Sequence, residues 1–468
     1  MKKSLVKIIA LLVAVTVSVG LFTGCGKKNS DKNEQGQTVI SVGGWPSKEG
    51  ATMDAFTERK NLFETNNPDI QITPDTWAFD LKSFYAKAAG GQLPTVYNVH
   101  FTEIASIIDS GYSADLTDSL KKRGYDGMFN QQILNMLTKD GKVYGFPTAA
   151  YVLGLTFNVE MFEAAGLLEA DGTPKQPKDL YEMVDFAVKI KKATGKPGLV
   201  FPTAGNNGGW IFNPVAWSFG VDFMEQDADG KWKATFNTPE AVEALQFIKD
   251  LKWKYDILPS NTLINGEEMY KTFATGNAGM VIAAGDMPGR MVKYGMTPDQ
   301  LGIMAFPAGP KRHVTLMGGT FTAIEPNATK DQIEASIRWT ESSNNFKLTS
   351  EYKTNQEKSI QNQLSNNQLV GIKNMSVWSK DSEALKFQHQ LIDENANSNP
   401  NHVRLYNEFV ANCPAELQAE EPVCAQGLYS TLDGCIQEVL ANKEADCAEL
   451  IAKAASDFQS NYLDNLTY

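Results

Sequence analysis

The stretch TVISVGGWPSKEGATMDAFTERKNLFETNNPDIQIT, residues 38–73, sets the architecture. Thr38–Val42 is rich in β-branched residues and ends at Gly43-Gly44-Trp45, the pattern of a buried strand running into a turn. Met53, Phe56 and Phe63 then fall on one face of a helix over 52–64. Pro68 closes the approach to a second strand over 70–73. Strand, helix, strand at this spacing predicts a parallel α/β sheet.

The rhythm continues toward the C-terminus. Asp80 caps a helix carrying Leu81, Phe84, Tyr85 and Ala88, which Gly90-Gly91 ends. Strands are predicted over 96–99, 143–147, 153–157, 279–284, 303–306 and 320–324. Helices are predicted over 103–110, from Pro177, from Thr238-Pro239 and around Ile333 and Ile337. Beyond about residue 350 the pattern reads as all helical.

Toward the N-terminus, residues 1–7 hold three lysines and no acid, and an apolar run over 8–24 ends at Thr23-Gly24-Cys25. This is an export signal, and the run is shorter than the ~20 residues a membrane-spanning helix needs. A cysteine behind a small residue reads as a lipidation site, so Cys25 is expected to carry lipid and become the new N-terminus. Residues 25–38 contain little that is apolar, so they are expected to form a flexible tether. The expected location is the extracellular face of the cell membrane, with lipid as the anchor.

The chain has 468 residues and a formal net charge of −12, with 42% hydrophobic and 21% charged residues. That length and balance describe a globular protein of about two domains. The acidic charge argues against nucleic-acid binding, which needs a basic face. Cys413, Cys424, Cys435 and Cys447 lie late in the chain without C-x-x-C spacing, so a zinc site is not expected. In an exported protein they read as two disulfides, with reduced thiols as the alternative. Cys424 and Cys435 share a helix and stand about 16 Å apart, too far to bridge.

No phosphate-cradling loop, dinucleotide fingerprint, nucleophile elbow or H-E-x-x-H pair occurs. Neither a cofactor nor a metal is expected. Aromatic residues do collect where strands give way to loops, and in open α/β sheets ligands bind outside the carboxyl ends of the strands. Trp45, Tyr151 and Trp210 are the leading candidates to stack on a sugar ring. Asp286 reads as a hydroxyl acceptor or a helix cap, and Arg290 as its partner. Trp232, Trp253 and Trp339 read as core, and Phe79, Phe212 and Trp217 as packing residues.

An ordered set of motifs carries a resemblance. It comprises Gly90-Gly91-Gln92-Leu93-Pro94, Gly141-Lys142-Val143-Tyr144-Gly145-Phe146-Pro147, LTFNVEMFEAAGL (155–167), FNTPEAVEALQFIKDL (236–251), FATGNAGMVIAAGDM (273–287), FPAGP (306–310) and GGTFTAI (318–324). Together they resemble the family 1 extracellular solute-binding proteins of bacterial ABC importers, which include the maltose-binding protein. The resemblance spans most of residues 39–345, whereas residues 349–413 match poorly. It implies a two-lobed, type II periplasmic-binding-protein-like α/β fold with the ligand cleft between the lobes. One lobe would comprise 39–148 with 305–352, and the other 149–304 with 353–468, behind a leader over 1–24. The chain would cross between lobes near 147–150, 305–308 and 350–361. The implied ligand residues are Trp45, Lys48, His100, Phe101, Glu103, Tyr151, Trp210, Asp286 and Tyr429. The implied partners are a small carbohydrate and the transmembrane subunits of an ABC permease, and a monomer is expected. The competing readings are a secreted carbohydrate-active enzyme and a binder of a non-sugar solute. Polyamine and metal binders want clustered acids or paired tyrosines, and neither is grouped in the crevice loops of the sequence.

Overall fold

The computed structural model describes residues 31–345, 347–412 and 414–466. The leader, Cys25 and Cys413 lie outside the described residues. No helix among the described residues is long and apolar enough to cross a membrane.

Nine strands form one continuous sheet: β1 (Thr38–Val42), β2 (Ile70–Pro74), β3 (Val96–His100), β4 (Phe146–Asn158), β5 (Leu199–Val200), β6 (Met280–Ala284), β7 (Leu301–Ala305), β8 (Val314–Ile324) and β9 (Glu416–Ala419). The main path runs β2-β1-β3-β8-β4-β6-β5, with β7 on β4 and β9 on β8. Strands β1, β2 and β3 pair in parallel, as their βαβ spacing requires. Strand β8 instead lies antiparallel to both β3 and β4, so the sheet is mixed.

The two predicted strands over 143–147 and 153–157 are largely one strand of 13 residues, β4. Its first half pairs with β8 in the first lobe, from Phe146 to Val152. Its second half pairs with β6 and β7 in the second lobe, from Leu153 to Asn158. The first lobe crossing is therefore a continuous strand rather than a loop. A register shift between Thr320 and Phe321 on β8 bends the pairing beside it, as a bulge does.

Four expectations are corrected. Residues 31–37 do not belong to a free tether. The Asn33 side chain accepts from Gln35 N and Gln37 N, an Asx-type turn, and its amide donates to Gln71. Lys32 pairs with Asp331 at 3.0 Å, so this segment folds back along β1. The helical C-terminal region also does not belong wholly to the second lobe. Trp378 stacks on Phe129 at 5.3 Å, and Asn130 N donates to Val377 O, both contacts with the first lobe. Strand β9 further interrupts the all-helical reading beyond 350. Finally, Cys424, Cys435 and Cys447 are free thiols. Their sulfurs face different partners: Cys435 faces the Leu450 carbonyl and Cys447 faces Gln246.

The helix Asn401–Asn412 lies across the crossing. Tyr406 is fully buried, and its hydroxyl donates to Val152 O at 2.9 Å. A Cβ at Gly154 would stand 2.8 Å from the Tyr406 ring, so that close approach requires glycine.

Candidate functional site

The cleft between the lobes has two differently built parts that share the crossing strand β4. In the first part, Tyr151 projects from β4 opposite Gly318 on β8. A Cβ at Gly318 would lie 2.2 Å from the Tyr151 ring, so the bare backbone makes room for the phenol. The Tyr151 ring meets Trp210 edge to face, with centroids 6.5 Å apart.

Trp210 is held by an unusual helix start. Gly208 and Gly209 open the helix Asn207–Ser218, and a Cβ at Gly209 would stand 2.3 Å from the Tyr429 backbone. Asp433, from the helix Ala425–Ala441, accepts from Asn206 N and Gly209 N at 2.7 Å each. A carboxylate on these free N–H groups satisfies the helix start and suits its dipole. The glycine- and asparagine-rich stretch over 205–209 therefore serves packing and capping.

Two glutamates complete this part. Glu420 follows β9, is 9% exposed, and accepts from Trp210 Nε1 at 2.7 Å and Tyr429 OH at 3.3 Å. Glu103 ends the turn Phe101–Glu103 after β3 and is 4% exposed. Burial pushes each carboxyl up to about 7, and the charge of Glu420 contributes at Glu103. Tyr85 and Cys424 feel the charge of Glu103, and Tyr151 feels those of Glu420 and Asp286. Acids and tyrosines from distant segments are therefore grouped around Glu420 and Glu103. Sequence patterning missed Glu420 because residues distant in the chain supply its surroundings.

The second part is a cavity of about 570 Å³ beyond residues 148–150 of β4. Its walls carry Asn344, Gln356, Gln363, Asn374 and Gln388, and Asp286 and Arg290 stand at its second-lobe rim. Those two pair at 2.8 Å and are both largely exposed. The segment that matched poorly by resemblance thus supplies much of this wall. A smaller cavity of about 210 Å³ is lined by Gly43, Trp77, Phe79, His100 and Thr320.

The structure brings Tyr151 and Trp210 into contact, whereas Glu103 is linked to them only through the charge of Glu420 and Asp286 only through its charge at Tyr151. Three other candidates are corrected. Trp45 is 6% exposed, packed edge-on to Phe56 at 5.2 Å and against Trp339 at 6.5 Å, so its ring belongs to the first-lobe core. Phe101 is 2% exposed and packs toward Phe321, because the turn after β3 points it inward. Tyr429 is fully buried, and its hydroxyl donates to Glu420 rather than facing solvent. Lys48 is exposed after β1 and lines neither cavity, whereas His100 is an exposed rim residue. Phe212 and Trp217 are packing residues: both are buried, and Trp217 Nε1 donates to Glu421.

Residues 44–342 match the family described as bacterial extracellular solute-binding protein. The chain belongs to this family. Among its relatives is the arabinooligosaccharide-binding protein of Bacillus subtilis, 23% identical over 341 residues, covering 69% of this chain and 72% of that protein. Two solved structures share the fold. The cyclic alpha-maltosyl-1,6-maltose binding protein of Arthrobacter globiformis has a TM-score of 0.63 and 21% identity, covering 91% of this chain and 99% of its own. UgpB of Mycobacterium tuberculosis, in complex with glycerophosphocholine, has a TM-score of 0.65 and 16% identity, covering 91% and 98%. This solute-binding protein thus has the two-lobed architecture expected from its motifs.

Proposed function

We propose that this solute-binding protein captures a sugar or oligosaccharide in the cleft and delivers it to an ABC permease. Lipid on Cys25 would anchor it at the extracellular face of the membrane, and it would bind without turnover. One observation carries the reading: Tyr151 and Trp210 meet edge to face beside Glu420, so apolar ring faces adjoin a hydrogen-bond acceptor. A sugar ring presents the complementary surface, apolar on one face and hydroxyl-rich at its rim. The amide-lined cavity adds donors and acceptors with little charge, which suits neutral hydroxyls. The sugars in the names of the arabinooligosaccharide and maltosyl-maltose binders support the same class.

Binding transmits a signal only if the closed arrangement of the lobes binds ligand more tightly than the open one. A thermal-shift screen of residues 31–468 against mono- and oligosaccharides, amino acids and polyamines tests the reading. The expected result is a raised melting temperature with one saccharide class and no product by chromatography. Product formation would favour a carbohydrate-active enzyme. A shift with amino acids or polyamines alone would replace the sugar assignment.

A further inference from the structure

Arg59 is a cation without a counter-ion among the described residues. It stands on the helix Ala51–Asn66, is half-buried, and lays its guanidinium on the Trp339 ring at 3.9 Å. Its Nε donates to Ser342 Oγ at 3.0 Å and its Nη2 to Trp339 O at 2.8 Å. Trp339 lies in the last turn of the helix Lys330–Glu341, where carbonyls lack intrahelical partners, so these bonds dock the side chain on that helix end. Both acceptors are neutral, and Nη1 has no partner among the described residues. Burial alone pulls the guanidinium down to about 10, as desolvation of an uncompensated cation does. The neighbouring arginines differ: Glu334 and Glu341 hold Arg123, and Asp69 holds Arg338 at 2.7 Å.

Arg59 borders a small cavity of about 90 Å³, which Gly43, Asn98, Thr148 and Asn344 also line and no carboxylate does. This cavity shares Thr148 and Asn344 with the amide-lined cavity of about 570 Å³. It shares Gly43 and Asn98 with the cavity of about 210 Å³ beside Trp77. The cation therefore sits at the wall between the two. The volume suits a few waters or one oxyanion rather than a sugar ring. Asn98 Oδ1 accepts from Thr322 Oγ1 at 2.9 Å, which leaves the Asn98 Nδ2 hydrogens as further donors. An outer cavity of about 280 Å³ also touches Arg59, but there the carboxylate Glu341 is part of the wall.

We propose that the 90 Å³ cavity receives an oxyanion, a carboxylate or a phosphate, carried on the saccharide. The inference rests on the sugar reading of the cleft and narrows it to an acidic sugar. The rings stay in the flanking cavities, and the charged substituent reaches Arg59. A guanidinium fixed by stacking and by two hydrogen bonds presents its remaining donors in a set plane, the arrangement that suits carboxylate and phosphate oxygens. A neutral hydroxyl can accept from the same donors but leaves the buried charge uncompensated.

The test is calorimetric titration of the chain at pH 7.0. The probes are uronic acid oligomers of one to four rings, sugar phosphates, neutral sugars of equal length, and inorganic phosphate and acetate alone. One acidic series should bind about tenfold or more tightly than its neutral counterpart, and that series names the oxyanion. Arg59→Gln should abolish the preference while the variant keeps a wild-type circular dichroism spectrum. Should that variant misfold, Asn98→Asp makes the same measurement: it keeps the acceptor for Thr322 and sets a competing carboxylate at the cavity wall. Neutral sugars binding as tightly as both acidic series would overturn the oxyanion and leave the sugar reading standing. An acidic preference that survives in both variants would overturn the assignment to Arg59. Binding of phosphate or acetate with every saccharide silent would overturn the sugar reading and with it the acidic-sugar cargo. Silence of every probe would overturn the proposal.

Discussion

The two parts of the cleft differ in chemistry although they flank the same strand. One places the aromatic rings of Tyr151 and Trp210 beside the buried acid Glu420, whose charge acts on the buried Glu103. The other is an amide-lined cavity whose charged rim pair, Asp286 and Arg290, is already satisfied. Buried charge and close ring packing depend steeply on geometry, whereas solvated amides form many individually weak contacts. The aromatic and acidic part should therefore set affinity and selectivity, and the amide cavity should tolerate change.

The largest expected effect tests the strand that joins them. Tyr406→Ala empties a packed site against Gly154 and Gly285 and removes the hydrogen bond to Val152 O. It should destabilise the protein by about 3–5 kcal/mol, read by denaturant unfolding. A change below about 1 kcal/mol would show that the helix Asn401–Asn412 does not brace the crossing.

Next is Trp210→Ala, which removes a half-buried ring and the Glu420 hydrogen bond. It should weaken saccharide binding by about 2–3 kcal/mol, roughly 30–100-fold, by titration calorimetry. The same loss from an amide-cavity substitution would erase the contrast between the two parts.

The third concerns pH. Glu103, Glu420 and Glu421 are each pushed by burial up to about 7, above the ordinary carboxylate value of 4.5. The folded chain then holds protons that the unfolded chain releases. Their contribution is full below about 4.5 and is lost as pH rises through 7. The melting temperature without ligand should fall between pH 5 and 7.5, and Glu103→Gln should flatten that slope. A slope rising over this interval would show that these carboxyls are not held protonated.

The smallest effect belongs to the amide cavity. Gln363→Ala should cost less than about 1 kcal/mol in binding, within the range of a single exposed hydrogen bond. A tenfold or greater loss would make this cavity an equal partner in recognition.

Much of the architecture was legible from short-range pattern. The β-branched run of β1, the Thr238 cap and the apolar stripe of Pro239–Trp253 all appear where periodicity predicted. The candidate site was less legible. Tyr151 and Trp210, which the sequence presents as loop aromatics, do meet, although Tyr151 lies within β4 and Trp210 within a helix. Trp45 sits at an equally suggestive strand end but turns into a cluster with Phe56 and Trp339. Sequence position places an aromatic at a loop, but residues far along the chain decide which way its ring turns.

By itself the sequence determined the strand–helix–strand opening over residues 38–73, the family and the acidic character of the chain. Each follows from local propensity, composition or ordered motifs, which need no knowledge of distant contacts. Only the tertiary structure decided that β4 serves both lobes, that residues near 378 pack on the first lobe, and that Glu103 meets the field of Glu420. Those facts join residues hundreds of positions apart. Burial and the electrostatics it controls arise only when such segments exclude water together.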